Sequence, residues 1–439
     1  MKKFIAILAV LALLAPLAFA AGGKDEPAGP IELTMWTHED PNRQKMEEAW
    51  AAEYMAAHPN VKITYSVYPS TKIQDLIPTA YAAKNAPSIW NMELQKSYPL
   101  LAQGLVAPVD PSALGVSNEA AIAAMYMDNM FAPVTDKDGK LLGKKGKIYG
   151  LPLELNNWCI YLNKKIFRDA GLDPEKDYPK TWEDVMAVSE KIVQRNGAIV
   201  TRRGFDFRYG DYLISWMPMV EQLGGAVVSP DGKTAIVNKD AWIKALAYMQ
   251  AWGPNGKNLG SPTYTAARKQ FDNNKNEIAM HLSGLYQEAR MKSANPTFYN
   301  SDEWMVIPYP VFAGGKNISN TYYFQYYMVN SQIPPAAQKE AWKFVAFLLS
   351  HPDQYLEKVA LIQPRKELIE GSLFKSMPYS DVFIKDLARA KPVYYGAASW
   401  QINELIKEAI ESVMMSNTTP EAAVEKLTKS AQALLDEQF

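Results

Sequence analysis

Metal and thiol chemistry is nearly absent from this 439-residue sequence. It has one cysteine, Cys159, so no disulfide can close within the chain and no thiolate cluster can hold a metal. Its four histidines are His38, His58, His281 and His351. None lies within four residues of another, so no helix or strand carries a local imidazole pair. An excess of charge of one sign is missing too. Lys and Arg number 46 and Asp and Glu 47, without the basic surplus that neutralises phosphates in a nucleic-acid binder. After the first fifteen residues no run approaches ~18 apolar residues, the length that crosses a bilayer. The strings G-x-S-x-G, H-E-x-x-H and G-x-x-x-x-G-K-[ST] do not occur. Gly22-Gly23-Lys24 and Gly314-Gly315-Lys316 lack phosphate-loop spacing and read as turns.

Flat apolar rings are abundant instead. There are 11 Trp, 24 Tyr and 15 Phe in a chain that is 48% hydrophobic. Such a chain buries a large core, and its length suggests about two or three domains. Cys159 sits in the apolar string Trp158-Cys159-Ile160-Tyr161 and reads as a buried, inert thiol. Carboxylates leave one enzymatic reading open. A glycosidase needs only two across a cleft, and Glu39, Asp40, Glu93 and Glu154 could supply them.

The N-terminus reads as an export signal. Lys2 and Lys3 precede an apolar run, Phe4 to Ala15, that Pro16 ends; Ala18-Phe19-Ala20 sets small residues before a cut at Ala21. Removing Lys2 and Lys3 from 46 cations against 47 anions leaves a net charge of −3. No cysteine follows the cut, so lipid attachment there is not available and a freely diffusing periplasmic protein is expected. Residues 21–30 read as a flexible leader.

The remainder alternates strands and helices, which predicts an α/β fold. Ile31 to Thr37 reads as a strand, and Asp40-Pro41 as an N-cap and first-turn proline. Met46, Ala49, Trp50 and Ala57 follow at helical spacing, and Val61, Ile63, Tyr65 and Val67 alternate as a second strand. This strand–helix–strand unit favours parallel pairing. A helix near 72–84 with a bend at Pro78 and a strand over 87–91 come next. Trp158–Leu162, Glu277–Leu282 and Trp304–Ile307 read as strands. Thr181 caps a helix carrying Val185, Val188 and Ile192, with Gly197 as its stop. Further helices are expected over Asp211–Leu223, after Asn238, after Pro335, and over Trp400–Met415 and Glu421–Leu435.

Four ordered segments carry a family signal. The first is Ile148-Tyr149-Gly150-Leu151-Pro152, then Asn156 and Tyr161-Leu162-Asn163-Lys164-Lys165-Ile166-Phe167, then Ala170-Gly171-Leu172. The second is Pro179-Lys180-Thr181-Trp182-Glu183-Asp184. The third is Phe271, Glu277-Ile278-Ala279-Met280 and Ser283-Gly284. The fourth is Ala341-Trp342-Lys343-Phe344, Leu348-Leu349 and Pro364-Arg365. With Leu33-Thr34-Met35-Trp36-Thr37, the chain resembles the extracellular solute-binding proteins of ABC importers, most of all the maltose-binding-protein-like, carbohydrate-binding branch. Ser88, where the family usually has Asp, is a departure.

The resemblance implies a type II periplasmic-binding-protein fold with two lobes, one over 31–150 plus 311–361, the other over 155–306 plus 366–439. Crossings then lie near 150–154, 308–310 and 362–365, where Pro152, Pro308, Pro310 and Pro364 stand. It implies sugar capture by hinge closure, permease subunits as partners, a monomer, no cofactor and no catalysis. A chemoreceptor or histidine-kinase partner would use the same fold and site.

In such a cleft rings pack on sugar C–H faces and polar side chains take the hydroxyls. Trp36, Glu39 and Asp40 stand at the end of the first strand, with Asp40 equally suited to capping; strand ends face the crevice in open α/β sheets. Trp90, Asn91 and Glu93 follow another strand, and Trp90 suits cleft or core alike. The resemblance places a ligand contact at Asn156, an aromatic platform at Tyr286 after Ser283-Gly284, and a second platform at Trp400. Gly284 belongs to the same site. Tyr212 and Trp216 suit cleft or core. One of Tyr322 and Tyr323 is expected to face a ligand, and Arg365 beside the third crossing to meet a hydroxyl or a carboxylate.

Overall fold

The computed structural model describes residues 29–128, 130–135, 145–210, 212–229, 232–237, 239–320, 323–390, 395 and 398–437. The export signal, most of the leader, the Asn238 cap and Tyr322 lie outside the described residues. Among the described residues ten strands follow in chain order: β1 (Ile31–His38), β2 (Val61–Tyr68), β3 (Ile89–Glu93), β4 (Leu151–Asn156), β5 (Cys159–Asn163), β6 (Gln194–Asn196), β7 (Ile199–Asp206), β8 (Ile278–Ser283), β9 (Trp304–Ile307) and β10 (Tyr323–Val329). They make two five-stranded sheets, β2-β1-β3-β10-β4 and β6-β7-β8-β5-β9.

The expected parallel unit is present. β1 pairs with β2 in parallel, with Leu33 opposite Ile63, and the helix Pro41–Ala57 makes the crossover. Leu33 and Met35 are fully buried while Glu32 and Thr34 are exposed, the alternation a one-sided strand needs. The helix buries Met46, Trp50 and Tyr54, but Ala49 and Ala57, expected on that face, are exposed. Arg43 and Glu47 take the buried face instead.

Several boundaries differ from expectation for physical reasons. Pro78 lies inside Ser70–Ala82 without ending it. The helix expected over Asp211–Leu223 is two, Tyr212–Ser215 and Met217–Gln222; Pro218 has no N–H to continue the ladder from the first. The helix Trp182–Ile192 starts with the Thr181 and Asp184 capping box but ends at Ile192. Gly197 serves instead at the turn between β6 and β7, with φ of +61°. Residues 151–154, expected as a crossing, are strand β4 of the first sheet. Pro152 cannot donate to the ladder, and the register slips opposite it between Gln325 and Tyr326. Residues 311–320, expected in the first lobe, pack on the second. Val311 bridges Thr181, Phe312 donates to Gln222, and Asn320 holds the Trp158 backbone.

Each sheet has its own core. The first gathers Met35, Trp90, Tyr327, Trp342 and Phe344. The second gathers Trp182, Phe205, Phe207, Trp242 and Trp252, together with Ile402, Ile410 and Val424 of the C-terminal helices. The Trp182 ring lies 5.6 Å from Phe207 and 5.1 Å from Tyr309. Helix Trp182–Ile192 can sit this close to β7 because residue 204 is glycine. A Cβ there would meet the Ser189 Cα at 2.4 Å. Gly204→Ala is therefore expected to destabilise the second lobe by about 1–3 kcal/mol or more through overpacking. Urea melts of the variant would show it as a lower midpoint at unchanged slope.

Candidate functional site

Strand direction decides where chemistry collects. β1 and β3 are parallel, and β4 runs the same way across the antiparallel β10, so the C-terminal ends of all three reach one edge. In that ladder Gln325 stands opposite Glu93 on one side and Glu154 on the other. His38 closes β1, and Glu39 and Asp40 lead into the helix. His38, Glu39, Asp40, Arg43, Glu93 and Glu154 form one wall of a cavity of about 870 Å³ between the two sheets. Trp158, Arg208, Arg268, Asp272, Tyr286 and Arg290, from around the second sheet, form the facing wall. One wall therefore presents four carboxylates around Arg43, and the other three guanidiniums and one carboxylate.

The carboxylate wall is fixed from beneath. Asp40 both lines the cavity and caps the helix, taking the Asn42 and Arg43 N–H groups at 3.0 Å. The buried Arg43 guanidinium donates to Thr37 Oγ1 at 2.6 Å and to the His38 carbonyl at 2.5 Å. It thereby pins the strand end that carries Glu39. Burial, with Arg43 adding repulsion, holds the His38 imidazole well below its ordinary pKa, so it is neutral at pH 7.

Glu154 is buried, and burial raises its carboxyl to about pKa 7. Arg43 and a hydrogen bond from Asn156 oppose the shift, while Asp40 adds to it. The sign follows from linkage. Between the ordinary carboxyl value of 4.5 and about 7 the folded protein holds a proton that the unfolded chain has lost. Stability from this group is full below 4.5, falls as pH rises to about 7, and is flat beyond. At 1.36 kcal/mol per pKa unit the loss is at most about 3 kcal/mol. The Glu154→Gln variant should therefore gain stability on the wild type between pH 4.5 and 7, measured by denaturant melts across that range. Parallel profiles would remove the effect.

The guanidinium wall is built around Tyr286. Its hydroxyl accepts from Arg208 at 2.8 Å, and the Arg208 guanidinium lies 3.8 Å over the Trp158 ring. Arg208 takes a left-handed backbone, φ +52°, with its N–H on Asp206 at 2.8 Å. Gly284 allows the close approach here. A Cβ on it would stand 2.8 Å from both Asn156 Oδ1 and Tyr286 Cε1. Arg290 pairs with Asp272 at 2.9 Å, and Gln287 donates to the same carboxylate.

Of the residues expected to bind, Glu39, Asp40, Glu93 and Tyr286 line one cavity, and Asn156 and Gly284 lie directly behind its wall. Others lie elsewhere. Trp90 is fully buried in the first core, its indole N–H on Tyr81 at 3.0 Å. Tyr212 and Trp216 are fully buried in the second, with Trp216 5.3 Å from Trp242. Asn91 is buried one layer back, donating to Gln325. Trp36 packs on Tyr68 at 5.0 Å, outside the cavity wall. Arg365 bonds the Leu349 carbonyl and Glu367. Trp400 lines a separate groove with Gln74, Pro78 and Pro99, under the Lys96 ammonium at 3.8 Å. Tyr323 pairs with Asn156 in the ladder. Sequence reasoning missed Trp158, Arg208, Arg268, Asp272 and Arg290, which no motif or spacing marks.

The sequence profile of bacterial extracellular solute-binding proteins matches residues 38–355. The arabinooligosaccharide-binding protein of Halalkalibacterium halodurans is 26% identical over 233 residues, 51% of this chain and 46% of that one. The chain thus spans about half the length of this relative, and likewise 54% of the arabinooligosaccharide-binding protein of Bacillus subtilis. The sn-glycerol-3-phosphate-binding periplasmic protein UgpB of Yersinia pestis is 22% identical and covers 92% of each chain. Among solved structures, an ABC transporter solute-binding protein from Thermotoga lettingae bound with α-D-tagatose superposes with a TM-score of 0.76 at 19% identity, over 92% of this chain and 99% of that one. That likeness shows the two-lobe fold.

Proposed function

We propose, because this chain belongs to the bacterial extracellular solute-binding protein family, that it captures a carbohydrate between its two lobes and delivers it to the permease of an ABC importer. The observation that carries this reading is the interlobe cavity of about 870 Å³, with the Tyr286 ring on one wall and four carboxylates on the other. A ring for C–H faces opposite acceptors for hydroxyls is what a sugar needs. Two of the relatives are named for carbohydrate ligands, an arabinooligosaccharide and tagatose, and a third for sn-glycerol 3-phosphate, a polyol phosphate. The protein is read as exported, periplasmic and monomeric, its export signal removed after Ala20.

Three chain passages join the lobes, between β4 and β5, between β9 and β10, and between the helices Pro352–Val359 and Lys366–Glu370. Bending there closes the walls on the ligand. A ligand drives closure only by binding the closed form better. A hundredfold preference corresponds to about 2.7 kcal/mol, at about 1.36 kcal/mol per decade.

The ligand is held without being transformed. Glycoside hydrolysis needs two carboxyls flanking the scissile bond. Here Glu39, Asp40, Glu93 and Glu154 share one wall, and Asp272 opposite is engaged by Arg290 and Gln287. Titration calorimetry against an oligosaccharide panel tests the reading. The expected result is stoichiometric binding of at least one sugar with no product released over hours. Silence across the panel sinks the carbohydrate assignment, and steady release of reducing ends sinks the non-catalytic one.

A further inference from the structure

Arg268 is a half-buried cation of the cavity wall without a counter-ion, and its guanidinium has no hydrogen bond or ion pair among the described residues. The neighbouring charges do not compensate it. Arg290 is committed to Asp272, and Arg208 is braced on Trp158 and the Tyr286 hydroxyl. Burial, then repulsion from Arg208 and Arg290, pulls Arg268 below its ordinary pKa despite Asp272 nearby. Sequences rarely retain a half-desolvated cation among like charges unless something else satisfies it, and such frustrated charges gather at functional sites.

Resting on the carbohydrate reading above, we infer that the ligand is an acidic saccharide, whose single oxyanion docks on Arg268 between Arg208 and Arg290. A guanidinium offers a planar fork of donors that matches a carboxylate or a phosphate. The facing wall sets the rest of the ligand. Its carboxylates accept hydroxyls and repel a second negative group, so the ligand is oriented with its acid toward the second sheet. A neutral sugar would leave Arg268 buried and unpaired on closure, which disfavours it. A polyanion would meet the acidic wall, which disfavours it too.

The experiment is titration calorimetry on the full mature chain with matched probes. Oligosaccharides carrying one uronate are each paired with the carboxyl-reduced neutral form; glucose 6-phosphate and inorganic phosphate complete the set. The expected result is that an acid form binds at least tenfold more tightly than its reduced partner, with the gap shrinking in 0.5 M salt. R268Q should erase that gap, and R268K should restore part of it. Unfolding midpoints of both variants without ligand should match the wild type, which separates lost binding from lost fold. Preference for glucose 6-phosphate over the uronates assigns the oxyanion to phosphate and sustains the inference. Equal affinity for acid and neutral forms, unchanged in R268Q, overturns it while the carbohydrate reading stands. Inorganic phosphate binding as tightly as glucose 6-phosphate overturns the saccharide part. Binding of no saccharide in either form ends both.

Discussion

Tyr286→Ala is expected to weaken sugar binding about a hundredfold and leave the unfolding midpoint within a few degrees of the wild type. The ring stands just ahead of the helix Gln287–Ala294, half-exposed to the cavity and outside either hydrophobic core. Its removal deletes the aromatic platform, and an aromatic–ligand contact of this kind contributes about 0.5–1.5 kcal/mol beyond its burial. It also removes the hydroxyl that braces Arg208, 2.8 Å away. A freed guanidinium must be re-ordered on binding, at a further entropic cost of about 0.5–1.5 kcal/mol. Together these reach the ~2.7 kcal/mol that a hundredfold loss requires. Tyr286→Phe keeps the platform and loses only the brace, so a loss of about tenfold or less is expected. Calorimetry with the tightest sugar of the panel measures both, with scanning calorimetry as the fold control. Unchanged affinity in Tyr286→Ala would remove the ring from the site.

Much of the carboxylate wall was legible because a general rule locates it. Strand ends open into the crevice, and Glu39, Asp40 and Glu93 stand at the ends of β1 and β3. Tyr286 was legible through family resemblance. The tryptophans were not, because burial here is two-sided. In β3 the four residues Ile89 to Met92 are all buried, so alternation cannot tell the cleft face from the core face at Trp90. Tyr212 opens a short helix and Trp216 stands at the turn between it and the next, both with hardly an exposed face, for the same reason. The arginine wall was invisible for a different reason. Arg208, Arg268 and Arg290 come from a loop and two separate helices, and only the tertiary fold brings them together. Residues 151–154, expected as a crossing, form strand instead because the proline signal marks missing donors, and a strand with a slipped register absorbs one as readily as a connector does.

Glu47→Ala should cost about 3–5 kcal/mol of stability, the usual result of removing one partner from a buried ion pair. Nothing in the sequence marks Glu47, which counts as a polar residue between Met46 and the solvated Glu48. In the fold it is fully buried. It accepts from the Tyr65 hydroxyl at 2.6 Å, the Tyr355 hydroxyl at 2.7 Å and the Tyr327 hydroxyl, with Arg43 Nε at 3.9 Å. One carboxylate thus ties its own helix to β2, β10 and the helix Pro352–Val359. Burial alone would lower the Arg43 pKa, but Glu47, joined by Tyr327, Tyr65 and Asp40, together outweighs it and raises it. The guanidinium therefore stays charged, and without Glu47 it loses its one ion-pair partner among the described residues and keeps only Asp40 and Glu154 at longer range, while three hydroxyls lose their acceptor. Replacing Arg43 with Met in the same chain removes the stranded charge. The double variant Arg43→Met/Glu47→Ala should then be more stable than Glu47→Ala alone, with a coupling of about 0.5–3 kcal/mol in a double-mutant cycle. Additive costs in urea melts would mean the pair does not act as a unit. The same pair reaches the cleft, because Arg43 also holds Thr37 and the His38 carbonyl, the strand end that presents Glu39 and Asp40. A double variant that regains stability should still bind sugar less tightly than the wild type, because its fold is restored and its strand end is not.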